Sequence, residues 1–231
     1  YRGDSPDDDG YGQDIRVIRT ALDWLDAHPD ARADWDIENH FSLDGWMATD
    51  SPDVLARIQD RVADGTDDVR IMSWNNGALA AQSREEFDAS VSWAQASNDA
   101  AFARQVPGVQ PQECMTSPEH LGWYAEHGVE WITLFYAANG FTALRQDVAL
   151  SGSALHNPVT LQDPESGASL VWVPAWHHAD VLDHGGLAAW AHQISAGVPG
   201  DSLLLIHFDA DAESWENFGL ELDALAPQLA D

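Results

Sequence analysis

The chain has 231 residues, enough for one substantial core, and it carries 39 acidic against 10 basic residues, for a formal charge of −29 at pH 7. All ten basic residues are Arg, and so few cations cannot neutralise a phosphate backbone, which excludes a nucleic-acid partner. With 45% hydrophobic residues and 11 Trp, the sequence is too apolar for a disordered acidic chain. We expect a folded protein whose acidic surface is halophilic, since concentrated salt screens its self-repulsion.

The ends of the chain and its single cysteine do not indicate the cellular compartment. Cys114 cannot form an internal disulfide, and no run of about 18 apolar residues predicts a membrane span. The sequence opens with YRGDSPDDDGYG, which is typical of an interior loop, so we expect the chain to be a segment of a longer protein. The sequence decides neither the oligomeric state nor whether the protein is cytoplasmic or extracellular in a high-salt environment.

Hydrophobic spacing predicts helices separated by extended segments. Ile15, Ile18, Leu22 and Leu25 follow at spacings of three and four, which indicates a helix that ends before Pro29. In chain order, the other predicted helices are 51–65, 85–97, 118–127, 187–194 and 218–229. The predicted strands are 34–40, 69–74, 106–113, 129–136, 169–174 and 202–208, and residues 139–167 are expected to be irregular.

The order of these elements predicts the fold class. The strands alternate with helices, and several are nearly continuous hydrophobic runs, as expected for strands buried on both faces. We predict an α/β fold, with residues 1–231 forming a single domain that is a parallel barrel or a fragment of one. A doubly wound open sheet is the alternative, but no glycine-rich phosphate loop follows any strand.

Two carboxylates at strand ends are the candidate catalytic residues. Glu113 lies between an extended segment and a helix that Ser117 and Pro118 begin, and Asp211 follows the last predicted strand. In an α/β barrel the carboxyl ends of all strands share one rim, where such folds place their chemistry. Two carboxylates across a groove can act as nucleophile and general acid/base on a glycosidic bond.

Other strand-end side chains favour a carbohydrate substrate. Trp offers a flat apolar face that suits the C–H face of a sugar ring, while Asn and His can hydrogen-bond to hydroxyl groups. The candidate substrate-binding residues are Glu38, His40, Trp74, Asn75, Asn76, Tyr136, Trp176, His177, His178, Asp209, Glu213 and Trp215. In contrast, we expect Trp24, Trp93, Trp123 and Trp190 to pack in the interior.

Two other functions stay open at this point. The first is a barrel that binds a glycan or a protein without turnover. The second is a metal-dependent carbohydrate hydrolase, since His40, His177, His178 and Asp209 are residue types that bind zinc. The His residues near the last two strands include no i, i+4 pair of the kind a helical zinc motif uses, so we predict neither a metal nor another cofactor.

Two stretches resemble known families. QECMTSPEHLGWYAEHGVEWITLFY resembles the fourth-strand motif of glycoside hydrolase family 57, and DADAESWENFG resembles that family's Asp-Gly-Glu motif. The resemblance implies a retaining hydrolase with Glu113 as nucleophile, Asp211 as acid/base, and Glu213 and Trp215 lining the site. Family 38 α-mannosidases share the barrel and have Asp at the position of Glu113.

The sequence also departs from these families. They open with a strand that carries a His-rich motif, and no such strand precedes Tyr1. Asn75 and Asn76 stand where a Gly-Gln-x-Glu motif is expected, and Ala212 replaces a Gly. The resemblance therefore implies an incomplete parallel (β/α)7-type barrel from a divergent or truncated member of haloarchaeal type.

Overall fold

A computed structural model of the chain describes residues 11–135, 150–177 and 185–207. Its backbone divides into two compact units. Unit 1 comprises Tyr1–Arg32 and Ala175–Asp231, and unit 2 comprises Ala33–Pro174. The prediction of one barrel domain over the whole chain stays a prediction.

The helices agree with the hydrophobic spacing. The α-helices are α1 (Tyr11–Ala27), α2 (Pro52–Ala63), α3 (Arg84–Ala101), α4 (Pro118–Glu126) and α5 (Leu187–Gly197), which confirms the helices predicted over these segments. The last predicted helix, 218–229, lies outside the described residues. Short 3₁₀ turns cover Leu79–Ala81, Gln112–Cys114 and Gly152–His156.

In the described ranges the strands differ from those predicted in length and number. They are β1 (Asp34–Trp35), β2 (Asp68–Val69), β3 (Gly108–Val109), β4 (Trp131–Phe135), β5 (Val159–Gln162), β6 (Ser169–His177) and β7 (Leu205–His207). Most are shorter than predicted, β6 is longer, and β5 is an additional strand. The prediction of a strand over 34–40 is wrong in its second half, where a π-type helix, Asn39–Met47, begins. Glu38 favours this helix because its carboxylate accepts the N–H groups of Phe41 and Ser42, which would otherwise lack partners.

The prediction of an irregular segment at 139–167 is wrong where β5 lies. β5 pairs antiparallel with β6, from Val159 opposite Trp172 to Gln162 opposite Ser169. The turn between them is stabilised by the Asp163 carboxylate, which accepts the N–H groups of Glu165 (3.0 Å) and Ser166 (3.1 Å). The hydrophobic pattern of β5 is too short and too mixed to indicate a strand without that turn.

Parallel pairing dominates the sheets of unit 2. β1 is parallel to β2, Ile71 just beyond β2 forms a parallel bridge with Val109 of β3, and β3 is parallel to β4. The strand order is then β3-β4-β6-β5. The predicted α/β class is confirmed, and the carboxyl ends of β1 to β4 lie at one edge. Within the part of the chain that the structure describes, the strands do not close into a barrel.

The core of unit 2 lies between this sheet and the helices that follow its strands. Phe87 and Val91 of α3 and Leu121 and Tyr124 of α4 are fully buried, and Ile132 of β4 packs in the same cluster. The α3 residues are four apart, so they share one helix face. The packing of α3 and α4 in this core therefore positions the residues that follow the strands.

Unit 1 has its own packing. Leu22 and Leu25 of α1 are buried, and the last residues of β6 run parallel to β7, with Trp176 opposite Ile206. Trp190 of α5 packs edge-on against Trp176, with 4.9 Å between the ring centroids. Among the helices described in either unit, none is both long and apolar enough to cross a bilayer.

Candidate active site

The ends of β1 and β2 meet in unit 2. The His40 N–H donates to the Trp74 carbonyl oxygen at 2.8 Å, and the two rings lie 5.4 Å apart. The Trp74 N–H in turn donates to the Ser90 hydroxyl oxygen of α3 at 3.1 Å. Two of the predicted substrate-binding residues are therefore brought together and held in place by backbone hydrogen bonds.

Aromatic rings extend this contact across the surface. The ring centroids of Phe41 and His40 are 4.6 Å apart, and those of Trp74 and Trp93 are 6.0 Å apart. We refer to Phe41, His40, Trp74 and Trp93 as the aromatic row. Phe41 is 50% exposed and Trp93 is 57% exposed. The prediction that Trp93 packs in the interior is wrong, because it lies on α3 away from the face that Phe87 and Val91 bury.

The remaining predicted residues at these two strand ends have different environments. The Glu38 carboxylate is 4% exposed and caps the Asn39–Met47 helix, so its oxygens already accept backbone N–H groups. Asn75 is exposed beside Trp74. Asn76 has a φ of 58°, in the left-handed region that Asn tolerates better than most residues.

Glu113 lies in the 3₁₀ turn that follows β3. The Cys114 N–H donates to the Pro111 carbonyl oxygen at 2.9 Å, and Cys114 is buried with a φ of 51°. A non-glycine residue in this region is under backbone strain. Because Ile71 pairs with Val109, the Glu113 turn and Trp74 leave the same edge of two adjacent strands.

A buried chain of polar contacts connects β1 to this turn. Arg70 donates to the Asp36 carboxylate and, at 3.3 Å, to the Thr133 hydroxyl oxygen. The Thr133 hydroxyl donates to the Gln110 amide oxygen, and the Gln110 amide nitrogen donates to Cys114 Sγ at 2.8 Å. We refer to Asp36, Arg70, Thr133, Gln110 and Cys114 as the polar chain. It links four strands to the residue that follows Glu113.

Arg70 is the charged centre of the polar chain. Only 4% of its surface is exposed, and its guanidinium carbon lies 5.4 Å from the Trp131 ring centroid, a cation–π contact. Its backbone carbonyl accepts the Asn98 side-chain N–H at 3.1 Å. The buried guanidinium itself is compensated by the Asp36 carboxylate and the Thr133 hydroxyl, since an uncompensated charge in the interior is strongly destabilising.

Helix α4 begins just after the Glu113 turn and holds two groups with shifted pKa values. Burial lowers the pKa of His120, whose ring stacks on Phe87 with 5.2 Å between centroids. Burial raises the pKa of the Tyr124 hydroxyl above its usual value. Both groups are therefore uncharged at neutral pH and act as part of the core behind the turn.

The residues predicted from the later strands are only partly described. Trp176 is 6% exposed and packs on Trp190, and the backbone of His177 pairs with His207 of β7. Tyr136, His178, Asp209, Asp211, Glu213 and Trp215 lie outside the described residues. The roles assigned to all these residues, and to Glu38, Asn75, Asn76 and Glu113, stay predictions.

In the described ranges, no three His, Cys, Asp or Glu side chains are grouped so that they could hold a metal ion. Two members of the zinc set considered from the sequence, His178 and Asp209, lie outside those ranges.

Several residues of this region are missing from the sequence-based prediction. The interior side of the strands carries Arg70, Gln110 and Thr133, and polar residues within hydrophobic strands are the signal that could have identified them. Phe41 follows His40 directly but belongs to a helix that the periodicity does not indicate. Long-range ring contacts have no sequence signature.

No protein-family model matches the sequence, and no curated protein matches it. Solved structures do match it. The crystal structure of a 4-α-glucanotransferase from Thermococcus litoralis is similar with a TM-score of 0.73 and 16% identity, covering 94% of this chain and 33% of that chain. A candidate polysaccharide deacetylase from Mycobacterium smegmatis has a TM-score of 0.62 and 11% identity, covering 94% and 71%.

A third similar structure is a protein in glycosyl hydrolase family 38 from Enterococcus faecalis, with a TM-score of 0.53 and 10% identity. The match covers 94% of this chain and 26% of that one, so the chain spans about a third or less of the two longer proteins. At such low sequence identity, the structural similarity shows the fold alone. It agrees with a glycoside hydrolase/deacetylase-type fold.

Proposed function

We propose that this chain is the catalytic segment of a carbohydrate-active hydrolase that cleaves glycosidic bonds, with Glu113 as nucleophile and Asp211 as general acid/base. The observation that carries the proposal is the turn after β3. Its buried Cys114 keeps a strained φ of 51° and is held by Gln110 of the polar chain. Strain of this kind costs about 1–3 kcal/mol and clusters at functional sites, where surrounding contacts maintain it.

The fold we propose is the parallel (β/α)7-type barrel, in a divergent or truncated member of the family 57 and family 38 group. The parallel pairing from β1 to β4 and the likeness in fold to the glucanotransferase support it. In such a barrel, Asp211 would reach the rim that carries Glu113, because both follow strands.

The proposed reaction has two steps. The Glu113 carboxylate attacks the anomeric carbon while the bond to the leaving oxygen breaks, and Asp211 gives its proton to that oxygen. A water molecule then attacks the glycosyl–enzyme ester, Asp211 takes the proton of the water, and Glu113 leaves as a carboxylate. The anomeric configuration is retained, and we expect about 5–5.5 Å between the two carboxyl groups.

The substrate would bind along the same rim. In this proposal, hydrogen bonds and apolar contacts to the sugar come from Glu38, His40, Trp74, Asn75, Asn76, Tyr136, Trp176, His177, His178, Asp209, Glu213 and Trp215. The contact between His40 and Trp74 supports the part of this set that follows β1 and β2.

The test is hydrolysis of a panel of aryl glycosides in molar KCl by the wild type and by the Glu113→Gln and Asp211→Asn variants. Each substitution should lower kcat by at least about a hundredfold, the scale that one general acid/base group contributes. Glu119→Gln is the matched control. Its exposed carboxyl follows the same turn, and a hydrogen bond from Ser117 holds its pKa below the usual value. This control should retain wild-type activity.

Two outcomes would replace the proposal. If the wild type and Glu113→Gln bind a glycan equally and neither cleaves any glycoside, the chain is a binding barrel without turnover. If hydrolysis is lost after dialysis against EDTA and restored by zinc, the metal-dependent alternative is correct.

A further inference from the structure

We propose that the aromatic row is a binding subsite for the apolar faces of a neutral oligosaccharide of several sugar units. The inference rests on the proposed function and names the kind of substrate that reaches the site. It assigns Phe41 and Trp93 a role that the sequence does not predict.

The first support is the geometry of the rings. From Phe41 through His40 and Trp74 to Trp93, neighbouring centroids are 4.6, 5.4 and 6.0 Å apart, so each ring contacts the next. Neighbouring ring planes are inclined by 59°, 33° and 67°, so each ring offers a separate stacking surface to a separate sugar unit. The two outer members are 50% and 57% exposed. Aromatic faces left in water carry a hydrophobic cost that a sugar ring stacked on them would remove.

The second support is that the backbone that carries the row is fixed before any ligand binds. Trp74 donates its N–H to Ser90 of α3 and accepts the N–H of His40. Trp93 lies on α3 itself, three residues after Ser90. Ligand binding therefore needs no ordering of the backbone, and the entropy lost is that of the side chains.

The size of the row favours a glycan over a protein partner. Two half-exposed aromatic side chains offer on the order of 200 Å² of surface, given about 150–250 Å² for a whole aromatic side chain. A stable protein interface buries about 800 Å² on each partner. The row is therefore large enough for a few sugar rings but too small for a protein.

Charge decides between neutral and anionic glycans. The chain has a formal charge of −29, and Asp44, exposed on the helix that carries Phe41, adds a carboxylate near the row. Anionic sugars would be repelled. Asn75 next to Trp74 is exposed and supplies amide donor and acceptor groups for hydroxyls.

The strand register relates the row to the Glu113 turn. Ile71 pairs with Val109, so Trp74 and Glu113 leave the same edge of neighbouring strands. A longer chain can contact more rings of the row while another unit lies at the turn, so the contribution of the row should grow with chain length.

The experiment is titration calorimetry in molar KCl, in which the wild type and every variant also carry Glu113→Gln so that no ligand is cleaved. The ligands are three neutral hexasaccharides, maltohexaose, cellohexaose and mannohexaose, together with their disaccharides and with hexagalacturonate. At least one neutral hexasaccharide should bind the wild type. Trp93→Ala should lower the affinity for that hexasaccharide about tenfold, equivalent to about 1.4 kcal/mol. It should lower the affinity for the matching disaccharide by a smaller factor. Hexagalacturonate should bind more weakly than that neutral hexasaccharide, and the difference should be larger in about 0.1 M KCl, where the charge of the chain is screened less.

Two further variants serve as controls. Trp93→Phe keeps an aromatic ring and should retain most of the affinity. Trp24→Ala removes a half-buried Trp from α1 in unit 1 and should leave the affinity unchanged.

The failures can be told apart. If Trp93→Ala binds the hexasaccharide as tightly as the wild type does, the row is not a subsite, and the proposed hydrolase stands. If the wild type neither binds nor cleaves any neutral glycan, the proposed function fails and this inference fails with it. If Trp93→Ala instead changes the oligomeric state by analytical ultracentrifugation without changing glycan affinity, the row is a protein contact.

Discussion

The polar chain and the aromatic row both include residues that follow β1 and β2, but they place opposite chemistry in opposite environments. In the polar chain, the charged Arg70 is 4% exposed and depends on Asp36 and Thr133 for partners. In the aromatic row, the apolar Trp93 is 57% exposed. Residue type predicts the reverse of both placements. We therefore expect stability to depend mainly on the polar chain, and the proposed ligand binding to depend on the aromatic row.

The largest expected effect is in the polar chain. Arg70→Met should lower the free energy of unfolding by about 3–5 kcal/mol, because it leaves the Asp36 carboxylate without its buried counter-ion. Urea unfolding in molar KCl measures the change. Arg84→Met is the matched control. Arg84 pairs with Asp88 at 2.7 Å and with Glu126 at 2.5 Å, and 37% of its side chain is exposed, so in molar salt, which screens such pairs, its loss should cost less than about 0.5 kcal/mol. Equal losses in the two variants would show that Arg70 does not act as a buried charge.

A pair of hydroxyl deletions shows whether buried polar groups stabilise only when they have partners. Thr133→Val removes a hydroxyl that contacts Arg70 and Gln110 and should cost about 1–3 kcal/mol. The Tyr124 hydroxyl is fully buried and has no hydrogen-bond partner among the described residues. Tyr124→Phe should therefore be neutral or stabilise by up to about 1 kcal/mol. The same unfolding experiment measures both, and a loss in Tyr124→Phe as large as that in Thr133→Val would contradict the distinction.

These two regions also show how far the sequence predicts the structure. Helix periodicity and Pro positions predict α1 to α5, because local spacing determines which helix face is buried. The strands contain only two to nine residues, so their bounds depend on pairing with distant segments, as Asp34 with Asp68 does. The sequence predicts His40 and Trp74 at strand ends. His40 lies instead in the Asn39–Met47 helix, yet its ring contacts that of Trp74.

The rest of the candidate site depends on contacts between residues far apart in the chain. Arg70 contacts Thr133, 63 positions later, and no local pattern indicates that partner. Trp93 was expected in the core because Trp is usually packed, yet its angular position on α3 turns it outward. Composition indicates which residue types are present, whereas tertiary contacts decide which of them face solvent.

The free energy of unfolding should also depend on pH, through the buried residue His120. Burial lowers the pKa of its imidazole in the folded state, so as the pH falls below about 6.5 the unfolded chain takes up a proton first. The stability is therefore fully present above that pH and is lost as the pH falls towards the folded-state pKa. His120→Gln should lose less stability than the wild type between pH 7.5 and pH 5, measured by urea unfolding. At pH 7.5 both side chains are uncharged, so the difference there measures packing and the hydrogen bond that the Ser117 N–H donates to the His120 ring at 3.4 Å. Parallel curves would show that His120 does not titrate on unfolding.

The smallest expected effect is the salt dependence of the coupling energy of an exposed ion pair, compared with that of a buried pair. A double-mutant cycle on Arg84 and Asp88 should give a coupling energy below about 1 kcal/mol that disappears in molar KCl, since the Debye length there is about 3 Å. The same cycle on Arg70 and Asp36 should keep its coupling, because the 4% exposure of Arg70 leaves no room for screening ions. The wild-type melting temperature should nevertheless rise from low salt to molar KCl, because salt screens the repulsion within a surface of net charge −29. A melting temperature that does not change with salt would exclude a halophilic surface. A coupling energy between Arg70 and Asp36 that falls with salt would mean that water reaches the polar chain.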